Sequence, residues 1–339
     1  MPQSIPFTKL LDALLDESTP FHPRYLHRLS DLDPADASLL TETWPKVSLR
    51  RREALLEDLE EHHLADDLLW FEEVGRLALK DKNPSVRTRA INILREYELV
   101  DLMPTFIDMA EHDPDEGVRA GATAALGTYV YMGEVEDIST ARLKRVEECL
   151  LNLVSGSDIA LVRRRALEAL GYSSRKEVVS LINDAYASHD VAWLSTALFA
   201  IGRSANSHWN PHVLKMLTHA HPSIRAEAAS TAGELEMAEA VPTLLELLED
   251  SDLDVRMASI WALSQVGGKG VREALESQLQ TTDDDEEADQ IERALENLDF
   301  TEEMRDLALL EIPDNGDGAG DASDDDDDNE EYVSEDEED

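Results

Sequence analysis

Three consecutive arginines, Arg163, Arg164 and Arg165, are the most conspicuous candidates for chemistry, because the chain around them carries a net charge of −44. They stand in the stretch ALVRRRALEALGYSS. Guanidinium groups bind phosphates and carboxylates bidentately, so this run could bind nucleic acid or pair with acids of the protein itself. A chain of this acidity repels phosphate backbones over a Debye length of about 8 to 10 Å, which makes nucleic acid the less favoured partner.

Ten histidines and one cysteine are candidates for metal binding or nucleophilic catalysis. His208 and His212 have the spacing of two ligands on one helix face, but Pro211 lies between them and the His-Glu-x-x-His frame of zinc enzymes is missing. Cys149 lies in the apolar helical run VEECLLNLV and is interpreted as a small buried residue, not a nucleophile. We therefore expect no catalytic residues, no metal and no cofactor.

The arginine run belongs to a pattern that recurs along the chain. Each copy begins at an apolar origin, which is followed by Ala or Ser four positions later, by apolar residues seven or eight positions later, and in four of the six copies by a Gly nine positions later. The origins are residues 86, 118, 162, 193, 224 and 255, so the gaps are 32, 44, 31, 31 and 31. A helical run precedes each origin, and no strand pattern is present. A period near 31 with two amphipathic helices per copy predicts an α-solenoid. About 13 extra residues fill the long gap, and we place them around residues 127–145.

An arginine directly follows five of the six origins. Asp81, Asp113 and Asp250 each precede an origin by five residues. On a helical wheel the arginine lies at the edge of the apolar face, so the pattern predicts a ladder of Arg–Asp contacts that ties neighbouring units together. Leu194 interrupts the column, and Arg164 and Arg165 are expected to face solvent. The predicted ladder residues are Arg87, Arg119, Arg163, Arg225 and Arg256.

The recurring pattern Asp-x4-Val-Arg-x2-Ala-x2-Ala-Leu-Gly resembles the HEAT repeat, in the short form called phycobilisome-lyase HEAT-like. The resemblance covers roughly residues 66–300. It implies helical hairpins whose second helices line a concave surface, in proteins that are scaffolds, adaptors or, in a few cases, enzymes. The iron-dependent hydroxylases of this type carry His-Glu dipeptides on repeated helices, and this sequence contains none.

The two ends of the chain depart from the repeat. Residues 1–65 contain helix-like stretches, and Asp33, Pro34 and Asp36 have the spacing of a helix start. Residues 311–339 contain 16 acidic and no basic residues, a composition that does not bury enough apolar surface to fold. The predicted organisation is an N-terminal helical region at 1–65, a solenoid at 66–300 and an acidic disordered tail at 301–339.

The cellular compartment is predicted from features that the sequence lacks. No stretch reaches the roughly 18 to 20 apolar residues of a membrane span, and the first residues lack the basic and apolar regions of a signal peptide. A single cysteine allows no disulfide within one chain. We expect a cytoplasmic protein without a membrane partner.

Large apolar residues occupy a few positions that the repeat places toward solvent. Most residues two and six positions beyond an origin are small or polar, but Phe199, Met257 and Trp261 are not. An apolar trough of this kind suits a docked partner helix or peptide. Alternatively, these side chains pack against the next unit.

The sequence therefore predicts an all-α protein, an α-solenoid of HEAT-like helical hairpins with a disordered acidic C-terminal tail. Its predicted function is that of a non-catalytic scaffold or adaptor that binds another protein along its concave face. The acidic tail would attract a basic partner. The alternative is an enzyme or enzyme subunit of the lyase or hydroxylase type. The sequence does not define the oligomeric state.

Overall fold

The computed structural model describes residues 5–65 and 68–310, with side chains for 5–62 and 68–301. The chain divides into a compact unit, Met1–Leu298, and a second unit, Asp299–Asp339. The predicted acidic tail lies mostly outside the described residues. Its first ten residues, 301–310, continue the last helix past the boundary that we expected near residue 300.

The described residues form α-helices, short 3-10 helices and connections, with no β-strand among them. In chain order the α-helices are α1 (Phe7–Leu15), α2 (Pro34–Thr43), α3 (Leu49–Ala65), α4 (Glu72–Ala78), α5 (Pro84–Arg95), α6 (Met103–His112), α7 (Glu116–Glu134), α8 (Thr140–Ser155), α9 (Ala160–Leu170), α10 (Lys176–Tyr186), α11 (Val191–Arg203), α12 (Asn210–Met216), α13 (Pro222–Glu234), α14 (Val241–Leu247), α15 (Leu253–Val266), α16 (Val271–Thr281) and α17 (Asp285–Leu310).

The helices pair and stack as a solenoid requires. The even-numbered helices α4 to α14 are the first helices of the hairpins, and each packs against the second helix that follows it, from α5 to α15. The second helices also contact one another in order, α5 on α7, α7 on α9, and so on to α15. At the N-terminal end α3 packs on α5 in the same way. The structure is thus an all-α stack of helical hairpins, as predicted.

The second helices share a way of beginning. Before four of them, an Asp or Asn with extended backbone accepts hydrogen bonds from the first backbone N–H groups of the helix, which satisfies donors that have no partner within the helix. Proline at the first position of α5 and α13 favours the same start, because its fixed φ suits a helix. The capping residues are Asn83, Asp115, Asp190 and Asp252.

The core consists of the apolar positions of the repeat. In α5 the origin Val86 and the residues Ala90, Ile93 and Leu94 are all buried. These positions recur at helical spacing, so each second helix buries one broad face between its own first helix and the neighbouring units. Small residues on this face let adjacent second helices approach closely.

Glycine allows the closest of these approaches. A Cβ atom added at Gly171 would lie 2.9 Å from the carbonyl oxygen of Ala200 on α11. At Gly233 it would lie 2.9 Å from the Cα atom of Ala262 on α15 and 2.6 Å from the Trp261 ring. The last residue of the Ala-Leu-Gly pattern is therefore set by the distance between neighbouring second helices.

The extra residues of the long gap lengthen one hairpin. They form the last turns of α7, the connection and the start of α8, so that α7 has 19 residues and α8 has 16. Tyr131, in the added part of α7, is 46% exposed, and its ring lies 5.4 Å from that of Tyr172 after α9. The insertion thus adds an aromatic side chain to the stack of second helices.

Candidate functional site

The ladder arginines join consecutive units. The guanidinium of Arg87 donates hydrogen bonds from Nε and Nη2 to both carboxylate oxygens of Asp113, at 2.9 and 2.7 Å. Its Nη1 donates to the carbonyl oxygen of Asp81, in the turn of its own unit, at 2.9 Å. Each aspartate therefore accepts from the arginine of the preceding unit through its side chain. Three further pairs have this geometry: Arg119 with Asp158, Arg225 with Asp250, and Arg256 with Glu287.

One predicted ladder position differs, and one arginine outside the prediction joins the ladder. Arg163 donates to the carbonyl oxygen of Val154 at 3.0 Å and lies over the Trp193 ring, 5.5 Å from its centroid. Arg52 pairs with Asp81, which also accepts a hydrogen bond from the Trp44 indole at 2.8 Å. Arg52 was not among the predicted ladder residues, because no apolar origin was assigned before it.

The spacing of the leucines after Arg52 could have identified this position. Leu55, Leu56 and Leu59 follow residue 51 at intervals of four, five and eight, which are the apolar intervals of the repeat, and all three are buried. The stack of second helices therefore begins at α3.

A groove of about 440 Å³ lies across four successive second helices, α5, α7, α9 and α11. Its floor is α7, which presents only glycine and alanine there, and its walls carry longer side chains. Three arginines against one glutamate give the lining a net charge of +2. The lining residues are Asn92, Arg95, Gly117, Ala120, Gly121, Ala124, Leu161, Arg165, Glu168, Phe199 and Arg203.

Arg203 is the most constrained cation of the groove. Its guanidinium carbon lies 4.2 Å from the centroid of the Phe199 ring and 4.8 Å from that of Tyr172. Its Nη1 donates to the carbonyl oxygen of Glu168 at 3.0 Å. Burial lowers the pKa of Arg203, and the positive charge of Arg95 acts in the same direction. The two rings and the carbonyl thus hold a partly desolvated guanidinium at the groove wall.

Acidic side chains continue the same face toward the C-terminal repeats. The Glu168 carboxylate accepts hydrogen bonds from Arg165 Nη1 at 2.6 Å and from Thr196 Oγ1 at 2.9 Å. Glu227 on α13 accepts one from Ser195 Oγ at 3.0 Å. Burial raises the pKa of Glu227 to about 7, and the negative charges of Glu234 and Glu168 add to the shift. The face therefore changes from basic at α5 to α11 to acidic at α13.

Residues 210–296, which include α12 to α16 and part of α17, match the family model of HEAT repeats. This segment of the chain therefore consists of HEAT repeats. The match falls on the C-terminal part of the stack, but the hairpins before it have the same helix order and the same second-helix contacts. No curated protein matches the sequence.

Several solved structures are similar to the chain at low identity. The complex of CpcE and CpcF of phycocyanin lyase from a Nostoc species is 18% identical, covers 67% of this chain and 94% of that chain, and has a TM-score of 0.46. Human deoxyhypusine hydroxylase in complex with glycerol is 17% identical. The match covers 87% of this chain and 96% of that chain, with a TM-score of 0.37. Kap95p bound to RanGDP is 15% identical. The match covers 91% of this chain and 44% of that chain, with a TM-score of 0.41. Likenesses of this level assign no activity to this chain.

The three apolar residues predicted to form a trough lie apart on the HEAT stack. Phe199 on α11 lines the groove and stacks on Arg203. Met257 and Trp261 lie on α15, two second helices further on, and are half-buried. The Trp261 ring covers Gly233 of α13 and packs against the core. Arg203, Tyr172 and the small residues of α7 were absent from the predicted site, because the repeat pattern marks none of them as unusual.

The cysteine and the possible metal ligands among the described residues show no sign of a reactive site. Cys149 is buried, and burial raises the pKa of its thiol to about 12, so the reactive thiolate is scarce at neutral pH. Among the side chains described for residues 5–62 and 68–301, no cluster of His, Cys, Asp and Glu has the arrangement of a metal site. No helix in the described part of the chain has the length and apolar character of a membrane span.

Proposed function

We propose that this protein is a non-catalytic scaffold or adaptor that binds a protein partner along the face of its second helices. The observation that supports this most is the groove across α5, α7, α9 and α11, which combines an open floor with apolar and charged walls. Partner peptides are commonly recognised by such surfaces, in which apolar contacts give affinity and charges give specificity.

The groove has the components of a protein-binding surface. Leu161 on α9 is 36% exposed, and Phe199 on the neighbouring helix α11 presents a half-buried ring. Rigid aromatic side chains and arginine are the residue types that most often dominate binding free energy at interfaces. We propose Phe199 as a contact residue, and Met257 and Trp261 as more distant contacts of a partner long enough to reach α15.

Two further parts of the function are proposed from sequence features. The acidic residues 311–339 are proposed to attract basic proteins by long-range electrostatics, which raises association rates more than it raises affinity. The cytoplasm is proposed as the compartment.

Affinity purification of the tagged full-length chain from its native host tests the scaffold function. Leu161→Ala combined with Phe199→Ala alters the groove, and Val179→Ala, on the first helix α10 and 42% exposed, is the matched control on the other face. We expect a partner that Val179→Ala retains and that the groove variant loses by about tenfold, as at an interface hot spot.

Thermal melting of both variants separates loss of binding from loss of fold. A partner that binds the groove variant as strongly as the wild type, or that is lost only with Val179→Ala, contradicts binding at this face. The absence of any stoichiometric protein partner contradicts the scaffold function itself.

A further inference from the structure

Arg203 is a partly buried cation that forms no ion pair with any of the described carboxylates. It donates one hydrogen bond to a backbone carbonyl and lies between two aromatic rings. Glu168 and Glu234 lie near enough to act on its charge, but the Glu168 carboxylate is already occupied by Arg165 and Thr196. A guanidinium in this state gains from an added anion, because a charge-assisted hydrogen bond is stronger where water is scarce.

The other cations of the groove increase the attraction for an anion. Arg95 on α5 acts on the charge of Arg203 across the groove, and Arg165 on α9 also lines it. The carboxylates of Glu96 and Glu168 neutralise Arg95 and Arg165 in part. In a chain of net charge −44, this groove with a lining charge of +2 is a local exception to the overall acidity.

The floor of the groove determines what kind of molecule fits. Gly117, Ala120, Gly121 and Ala124 of α7 carry no side chain beyond Cβ, and a Cβ atom added at Gly121 would meet nothing closer than 3.8 Å. A peptide backbone can therefore lie directly on α7, between Asn92 on one wall and Phe199 on the other. The volume of about 440 Å³ suits a short segment.

We propose that this groove binds a short acidic segment of a protein partner, with one side-chain carboxylate paired to Arg203 and a neighbouring aliphatic side chain between Leu161 and Phe199. The inference rests on the proposed scaffold function and names the chemistry of the bound segment. A protein segment is favoured over nucleic acid because one or two carboxylates suffice at Arg203, whereas a polyphosphate backbone would also be repelled by the acidic chain around the groove.

Fluorescence anisotropy with labelled peptides on the full-length protein tests this proposal. The probes are a short peptide of alternating Glu and Leu, its Gln–Leu and Lys–Leu counterparts, and an oligothymidylate of equal length. We expect the Glu–Leu peptide to bind at least about tenfold more tightly than the Gln–Leu peptide, with Lys–Leu weaker still. Equal binding of the Gln–Leu peptide, or tighter binding of the oligothymidylate, overturns the proposal.

Two variants locate the binding site. Arg203→Met removes the cation and is compared with Arg142→Met on the exposed surface of α8. Gly121→Gln adds a longer side chain to the floor and leaves Arg203 in place. We expect Arg203→Met and Gly121→Gln each to weaken Glu–Leu binding about tenfold and Arg142→Met to leave it unchanged. If Gly121→Gln melts like the wild type and still binds the peptide fully, the groove is not the site. If a host partner is lost with the double variant Leu161→Ala and Phe199→Ala but retained by Arg203→Met, that result supports the scaffold function. It overturns only the proposal that the bound segment is acidic.

Discussion

Arg225 of α13 and Asp250 of the following unit form a bidentate ion pair, with Nε–Oδ2 and Nη2–Oδ1 distances of 2.7 and 2.8 Å. The same guanidinium donates from Nη1 to the carbonyl oxygen of His219 in its own unit. One side chain therefore closes its own turn and holds the next hairpin. Because the Asp250 carboxylate is only 9% exposed, loss of the Arg225 guanidinium would leave a poorly solvated negative charge without its partner.

Arg225→Lys tests this relationship. An ammonium group retains the charge but does not form the paired hydrogen bonds of the guanidinium, so we expect the free energy of unfolding to fall by about 1 to 3 kcal/mol. Urea unfolding followed by circular dichroism measures the change. Arg142→Lys on α8 is exposed and is the matched control, for which we expect less than about 0.5 kcal/mol. Equal midpoints for the two variants would show that the ladder contributes little.

Gly171→Ala and Gly121→Ala should change stability in opposite directions, although both glycines lie in or directly after second helices. At Gly171 the new methyl group meets the Ala200 backbone at 2.9 Å, and we expect a loss of about 1 to 3 kcal/mol. At Gly121 the methyl group has space, and alanine favours a helix over glycine by up to about 1 kcal/mol. Thermal melting distinguishes the two variants. A lower melting temperature for Gly121→Ala would contradict the space of at least 3.8 Å that the structure shows between a Cβ atom at this position and the side chains of α5.

Glu227 should make stability depend on pH near neutrality. Burial raises its pKa from 4.5 to about 7 in the folded chain, so the folded state binds the proton more tightly than the unfolded state between these values. The contribution of Glu227 is therefore favourable at low pH and is lost as pH rises through about 7. Glu227→Gln should remove this loss and raise the free energy of unfolding at pH 8, relative to the wild type, by about 1 to 3 kcal/mol.

The matched control for Glu227 is Glu177→Gln on α10. The hydrogen bond from Arg175 lowers the pKa of Glu177, so its contribution changes with pH in the opposite sense, in the acid range. Unfolding by urea between pH 4.5 and 8 measures both profiles. If the Glu227→Gln and wild-type curves run parallel across this range, Glu227 titrates as an ordinary surface carboxylate.

Removal of residues 311–339 should slow association with a basic partner without changing the melting temperature of the stack. The deletion removes 16 acidic residues, and we expect association at low salt to slow by about tenfold and its salt dependence to flatten. Stopped-flow binding at several salt concentrations measures both. A variant of full length with Asn and Gln at these acids separates charge from length, and unchanged association rates would leave the segment as a solubility device.

Much of the HEAT stack was predictable from local patterns. The apolar origins and the positions four and seven beyond them predicted the buried faces of the second helices, except that in α11 Leu194 is buried and the origin Trp193 is only half-buried. Asp33 with Pro34 predicted the start of α2. The placement of the extra residues near 127–145 is matched by the long α7 and α8. These features depend on the 3.6-residue period and on capping within one helix, both of which a single stretch of sequence contains.

The candidate groove was predictable only in part. Phe199 was selected for its size at a solvent-facing position, but it was grouped with Met257 and Trp261, which lie two second helices away. Arg203 and Tyr172 follow the repeat positions closely and give no signal of their own. They become a site because the packing of α11 against α9 places the Arg203 guanidinium carbon 4.8 Å from the centroid of the Tyr172 ring.

The sequence by itself determined the helical hairpins, their period and their buried faces, because apolar spacing acts within each helix. Only the tertiary structure decided which acid each arginine meets, as Arg119 and Asp158 are 39 residues apart and Arg52 pairs with an acid 29 residues further on. It also decided that a basic groove forms in an acidic chain. Contacts of this kind depend on the offset between stacked helices, which is set by packing across the whole interface rather than by any one segment.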